Sequence, residues 1–188
     1  MSKPRLIGIS GSIRRDAFST AVLRGLQAAA AGRADIVIHS LSEVPLYNQD
    51  LDTETPPEAV AALRAAIGEA DGVIIVSPEF NYGLPGVLKN ALDWASRPYG
   101  AATLAGKPVL TATESPAFTG GARAQAPLNE VLHAIGARVL PRAQTVIPSV
   151  HEKVADGRLV DEDTLNFLLG GVDDLIRAIP ARALAEAA

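Results

Sequence analysis

The sequence contains no cysteine among its 188 residues. That absence excludes disulfides, thiolate nucleophiles, iron–sulfur clusters and cysteine-based zinc sites. Aromatic residues make up only 4% of the chain, and no apolar run is long enough to span a membrane. Neither sign of charge is in large excess, because the formal net charge is −4. This balance argues against nucleic-acid and membrane-surface partners.

Signals for export, metal binding and acid–base catalysis are missing as well. No hydrophobic signal segment precedes the first predicted strand, so we expect a cytoplasmic protein. The three histidines lie far apart in the sequence and lack metal-ligand spacing, so we predict no metal site. There is no Ser–His–Asp constellation, and we nominate no catalytic acid, base or nucleophile. The whole sequence contains 48% hydrophobic and 20% charged residues, a composition typical of a globular protein.

Short buried strands alternate with amphipathic helices along the chain. Strands are predicted at 5–9, 35–39, 72–76 and 108–113, with a broken fifth at 138–147. This alternation predicts an α/β fold with a doubly wound parallel sheet, and five strands favour the flavodoxin-like order 2-1-3-4-5. We expect a single domain over residues 1–180, a small hairpin within 150–160 and a frayed tail at 181–188.

The loop after the first strand is rich in groups that bind phosphate. Residues 8–20 hold two glycines, four hydroxyl side chains and two arginines. A phosphate there would meet backbone N–H groups, hydroxyls and the positive end of the following helix, and Arg14 could add a charge-assisted contact. The pattern is neither a Walker loop nor a Rossmann fingerprint. The alternative is a helix N-cap at Ser19 within a solvated loop.

The loop after the third strand carries residues that are unusual for a turn. Residues 77–86 read Ser-Pro-Glu-Phe-Asn-Tyr-Gly-Leu-Pro-Gly. Ligands bind at the carboxyl ends of parallel strands, and two aromatics, an amide and a carboxylate there suit a flat, partly apolar molecule with hydrogen-bonding edges. The alternative is that Glu79 is a solvated carboxylate and that Phe80 and Tyr82 pack on a neighbouring loop.

Together the two loops resemble the NADPH-dependent FMN reductase family, which includes chromate and quinone reductases of flavodoxin-like fold. The loop 77–82 and the helix 85–94 (Pro-Gly-Val-Leu-Lys-Asn-Ala-Leu-Asp-Trp) are similar to the family's Pro-Glu-Tyr-Asn loop and the helix after it. Gly-Ser-Ile-Arg at 11–14 is similar to its phosphate loop, and 115–123 to its loop after the fourth strand. The chain departs from the family at Phe80, Glu114 and Pro116-Ala117, where tyrosine, a small residue and glycine are usual.

The resemblance implies that FMN lies across the carboxyl edge of the sheet, with its phosphate in the first loop and its ring on the second. The implied cofactor-binding residues are Ser12, Arg14, Phe18, Ser19, Thr20, Pro78, Glu79, Phe80, Asn81, Tyr82 and Ser115. It further implies NADPH or NADH as donor and flavins, quinones, azo compounds or oxyanions such as chromate as acceptors. A homodimer or dimer of dimers is implied too, with the helix 87–94 and Trp94 at the subunit contact, although the core is an alternative place for Trp94.

Two other functions remain open on the same fold. A flavodoxin-type electron carrier would bind FMN without a nicotinamide site, although such carriers are usually strongly acidic so that they dock on basic partners. A flavin-independent nucleotide-binding or regulatory domain would keep the fold and change the activity. The colour of the purified protein, and whether NADPH bleaches it, distinguishes the three functions.

Overall fold

The structure, a computed structural model, describes residues 3–179. The strands of the main sheet are β1 (Arg5–Ser10), β2 (Asp35–His39), β3 (Gly72–Pro78), β4 (Pro108–Glu114), β5 (Arg138–Val139) and β6 (Val146–Ile147). The helices are α1 (Phe18–Ala29), α2 (Glu58–Glu69), α3 (Gly86–Ala95), α4 (Ala122–Ile135) and α5 (Glu162–Ala178). The strands are parallel and lie in the order β2-β1-β3-β4-β5, which confirms the predicted fold. The tail 181–188 lies outside the described residues.

The sheet is buried on both faces because helices cover each side. On β3, Ile74 and Val76 belong to the core that contains α1 and α5, whereas Val73 and Ile75 belong to the core of α2, α3 and α4. Successive side chains of a strand point to opposite faces, so a continuous apolar run fills both cores. Within residues 3–179, no helix has the length and hydropathy needed to cross a bilayer.

The fifth strand is broken, as predicted, into β5 and β6. Leu140 still donates its N–H to Val109 O at 2.9 Å, and Thr113 donates to Thr145 O at 2.9 Å. Between these two bonds stands Pro141, which has no N–H to donate to a ladder. The predicted hairpin is also confirmed, as β7 (Val154–Ala155) and β8 (Arg158–Leu159) pair antiparallel.

Residues near the end of α3 bind and pack against the long connection between β2 and α2. Trp94 is 0% exposed and donates its indole N–H to Pro45 O at 2.8 Å, while its ring lies 4.8 Å from that of Tyr47. Asn90 accepts the Tyr47 N–H at 2.7 Å and donates to Pro45 O at 2.8 Å. The expectation that Trp94 is buried by a subunit contact is therefore wrong, because the indole N–H and the ring both find their partners inside one chain.

Candidate functional site

Three loops meet at the carboxyl edge of the sheet. The first loop (11–17) follows β1, the second (79–85) follows β3, and the third (115–121) follows β4. Because β1, β3 and β4 are adjacent and parallel, their carboxyl ends lie side by side at this edge, where α/β folds bind ligands. Most of the sequence-predicted residues lie in these three loops, whereas Phe18, Ser19 and Thr20 begin α1 and Pro78 ends β3.

Two cavities open between the loops. A wide cavity of about 730 Å³ is lined by Gly11, Ser12, Ile13, Arg14, Phe80, Asn81, Gly83, Leu84, Pro85, Gly86 and Val87. A narrow cavity of about 320 Å³ is lined by Ser12, Arg14, Ala17, Phe18, Pro78, Glu79, Phe80, Glu114, Ser115 and Pro116. Both volumes fall in the range of small-molecule sites. Ser12, Arg14 and Phe80 line both cavities, so the two form a continuous surface along the first loop.

The hydroxyl of Ser10, at the end of β1, forms hydrogen bonds with side chains in the first turn of α1. Ser19 Oγ lies 2.9 Å from Ser10 Oγ, and the Thr20 hydroxyl donates to the same oxygen at 2.9 Å. The hydroxyls of Ser19 and Thr20, predicted to bind the cofactor, are therefore directed at Ser10 in this structure. Neither residue lines the wide or the narrow cavity, but Thr20 lines a separate cavity with Ser12 and Arg14. The sequence analysis counted the Ser10 hydroxyl in the first loop but did not nominate it as a binding residue, and the structure places Ser10 as the last residue of β1.

The first turn of α1 has the features of an anion site. The helix begins at Phe18, and its N-cap Ala17 offers no side-chain acceptor, so the alternative of an N-cap at Ser19 is wrong. No acidic residue lies in this turn, and its N–H groups and positive dipole end favour an anion. Arg14 lies above the Phe18 ring, with 5.3 Å between the guanidinium carbon and the ring centroid. Among residues 3–179 Arg14 forms no ion pair, so its charge is available to a ligand.

The second loop is a tight turn that exposes two aromatic rings. Phe80 and Gly83 exchange backbone hydrogen bonds of 3.0 and 2.9 Å, and the two residues between them, Asn81 and Tyr82, have φ of 49° and 63°. Positive φ at both central residues is usual in a two-residue hairpin turn, but it is rare for a bulky residue such as tyrosine, and residues of that kind cluster at active sites. Phe80 is 60% exposed and Tyr82 71% exposed. The turn thus presents apolar faces to solvent next to the wide cavity.

Glu79 joins the second loop to α4. Its Oε2 accepts the backbone N–H of Arg123 at 3.0 Å, at a helix start where the N-cap Gly121 has no side chain to contribute. The Arg123 guanidinium in turn lies 4.2 Å from the centroid of the Tyr82 ring. Glu79 is therefore a half-buried carboxylate that caps the start of α4, and the ring of Tyr82 packs against a cation.

The third loop closes tightly over the end of β4. Gly121 has φ of 79°, and a β-carbon there would lie 2.9 Å from Glu114 O, so this position requires glycine. Ser115, predicted to bind the cofactor, accepts the N–H of Ala117 at 3.1 Å and lines the narrow cavity.

Glu114 is a site residue that the sequence did not nominate. It is 3% exposed and lines the narrow cavity. Burial raises the pKa of its carboxyl to about 7, although the Ser19 backbone N–H and the charge of Arg14 act in the opposite direction. The available signal was an acidic residue at the end of a fully buried strand, where an apolar residue is usual.

Comparisons with known proteins identify the family. The family of NADPH-dependent FMN reductases matches residues 4–152. Quinone reductase from Escherichia coli (strain K12) is 38% identical over 172 residues, covering 89% of this chain and 91% of the relative. 2-Hydroxy-1,4-benzoquinone reductase from a Burkholderia species is 37% identical over 161 residues, covering 85% of this chain and 87% of the relative.

A solved structure is similar over nearly the whole length. FerB, a flavoenzyme NAD(P)H:(acceptor) oxidoreductase from Paracoccus denitrificans, superposes with a TM-score of 0.82 at 34% identity, covering 94% of this chain and 97% of that chain. The chain therefore belongs to the NADPH-dependent FMN reductase family, and it is an oxidoreductase that uses FMN and NAD(P)H.

Proposed function

We propose that residues 1–180 form a single FMN-binding domain that takes electrons from NADPH or NADH and reduces quinones in the cytoplasm. Quinones are favoured among the possible acceptors because the similar proteins from Escherichia coli and Burkholderia are named for quinone reduction. The observation that carries the proposal is the tight turn of the second loop, which exposes Phe80 and Tyr82 beside Arg14, an arginine with no ion-pair partner within the described range 3–179.

The residues around the two cavities fit FMN. The first-turn N–H groups of α1, the Ser12 hydroxyl and the Arg14 guanidinium form a donor set suited to a phosphate. Pro78, Phe80 and Asn81 supply the flat apolar and amide surface that a flavin ring needs. When bound, FMN accepts a hydride from a nicotinamide and passes electrons to an acceptor. The protein's part is to hold the phosphate and to leave one ring face open.

Anaerobic titration of the purified protein tests the function. We expect a yellow protein, after incubation with FMN if necessary, that NADPH or NADH bleaches and a benzoquinone restores to yellow. A yellow protein that neither nucleotide bleaches would contradict the proposal and favour an electron carrier. A protein that takes up no FMN would favour a flavin-independent domain.

Tyr82 is proposed to guide the nicotinamide onto the exposed flavin face. Its ring is 71% exposed, and an aromatic contact contributes about 0.5–1.5 kcal/mol. We therefore expect Tyr82→Ala to raise the KM for NADPH by roughly two- to tenfold while bound FMN is largely retained. Tyr82→Phe keeps the ring and serves as the matched control, with a KM near that of the wild type.

Two outcomes would contradict this role of Tyr82. Unchanged NADPH kinetics in the alanine variant would assign the residue to loop structure, through its contact with Arg123. Loss of FMN from the same variant would place Tyr82 at the flavin itself. Steady-state kinetics and the flavin absorbance of the purified variant distinguish these results.

We also propose a homodimer or a dimer of dimers whose contact includes the region around α3. Two large apolar side chains next to that helix support this, because Leu46 is 83% exposed and Tyr99 92% exposed. Exposed apolar patches mark protein contacts. Light scattering at micromolar concentration should give the mass of a dimer or tetramer, and Tyr99→Glu should shift it toward monomer. A wild-type protein that is entirely monomeric would contradict the proposal.

A further inference from the structure

Glu114 is a buried carboxyl group for which electron transfer has no direct use. It lines the narrow cavity together with Ser12, Arg14 and Phe18. Ala17 and Phe18, the N-cap and the first residue of α1, line the same cavity. Burial raises the pKa of the Glu114 carboxyl, and the Ser19 backbone N–H lowers it. The carboxyl therefore lies where the helix N-terminus would receive an anion. An anionic ligand and an ionised Glu114 compete for the same N–H groups.

The charged groups around Glu114 do not neutralise it. The first loop contributes Arg14, which acts on the carboxyl but forms no ion pair with it among residues 3–179. The second loop contributes Glu79, whose carboxylate is already bonded to the N–H of Arg123 in α4. Beyond β6, the first titratable group is His151, whose Nε2 lies 3.7 Å from Oε1 of its neighbour Glu152. Burial is therefore the largest influence on the pKa of the Glu114 carboxyl.

We propose that Glu114 couples the binding of FMN to the uptake of a proton. The inference rests on the proposed FMN site. The neutral carboxylic acid can donate a hydrogen bond to a phosphate or ribityl oxygen, whereas the carboxylate has no donor to offer. A flavin phosphate carries about −1.5 to −2 charge at pH 7, so it repels an ionised Glu114 in the same cavity. Binding therefore favours the protonated side chain.

The pKa of Glu114 in the protein without FMN determines how FMN affinity changes with pH. The pKa of Glu114 is raised to about 7, and a neighbouring phosphate raises it further. Below about pH 7 the carboxyl is mostly neutral before FMN arrives, and little proton uptake is needed. Above that pH, each unit weakens FMN binding by up to about tenfold until the pKa of the complex is passed.

FMN titrations of the apoprotein between about pH 6.5 and 8.5 test the proposal. Wild-type affinity should fall across this range, whereas Glu114→Gln should bind FMN with nearly constant affinity and, at about pH 8.5, at least tenfold more tightly than the wild type. Glu130→Gln, which removes an exposed carboxylate from α4, is the control for net charge and should follow the wild type. Riboflavin lacks the phosphate and should show a much weaker pH dependence.

Calorimetry of the wild type in two buffers of different ionisation enthalpy measures the proton directly, even if Glu114→Gln does not fold. We expect uptake of up to about one proton per FMN between about pH 7 and 8. No uptake, or equal pH slopes in the wild type and Glu114→Gln, would overturn the proposal. A folded Glu114→Gln that binds no FMN at any pH would overturn it as well. A wild type that binds no FMN at any pH would instead reject the proposed function.

Discussion

Replacing Arg14 with alanine is expected to weaken FMN binding by roughly ten- to a hundredfold, because a hydrogen bond to a charged group contributes about 1.5–3 kcal/mol. Arg14 lines both cavities and has no ion-pair partner among residues 3–179. Its charge would therefore be directed at the flavin phosphate. Riboflavin lacks that phosphate, so its affinity should change much less. Fluorescence titration of the apoprotein with each flavin makes the comparison.

The neighbouring Arg15 provides a matched control. It carries the same charge in the same loop but lines neither cavity, so Arg15→Ala should leave FMN affinity within about threefold of the wild type. NADPH affinity should fall less than FMN affinity in Arg14→Ala. Equal losses for FMN and riboflavin would show that Arg14 supports the loop and does not bind the phosphate.

Replacing Trp94 with alanine is expected to lower the free energy of unfolding by about 3–5 kcal/mol, the usual cost of removing a large buried aromatic. Trp94 is 0% exposed and packs against Tyr47, and Arg64 donates to its backbone oxygen at 3.1 and 3.0 Å. The variant therefore leaves a cavity beneath the connection between β2 and α2. Urea denaturation, analysed with a common slope, measures the loss.

Two further variants separate the ring of Trp94 from its indole N–H. Trp94→Phe keeps an aromatic ring but removes the donor to Pro45 O, so we expect a smaller loss of about 1–3 kcal/mol. Phe118→Ala removes an aromatic that is mostly exposed and should change the unfolding free energy by less than about 0.5 kcal/mol. A Trp94→Ala protein as stable as the wild type would contradict the burial of this side chain.

Much of the site could be predicted because its position depends on local pattern. Apolar runs such as 72–76 and the helical spacing after Pro85 identify strands and helices, and a parallel order then brings three loops to one edge. Arg14, Phe80 and Ser115 line the cavities there. The hairpin within 150–160 could also be predicted, because its turn residues Asp156 and Gly157 both have positive φ, which these residue types tolerate.

The direction of individual side chains could not be predicted in the same way. Ser19 and Thr20 follow the first loop, in the first turn of α1, and their hydroxyls are directed at Ser10. Glu79 caps α4 only because the second and third loops lie side by side in the folded sheet. Each of these contacts joins residues from different elements, such as β1 and α1 or the second loop and α4. The periodicity of the sequence therefore does not predict them.

The alternation of strands and helices, the position of the site loops and the family can all be inferred from sequence, because each depends on short stretches of neighbouring residues. The burial of Trp94 within one chain and the position of Glu114 beside the start of α1 follow from the folded arrangement and not from any local pattern. Burial and charge proximity depend on segments that are distant in sequence. The physical reason is that a side chain's solvation is set by what packs over it, and here those neighbours come from separate strands and loops.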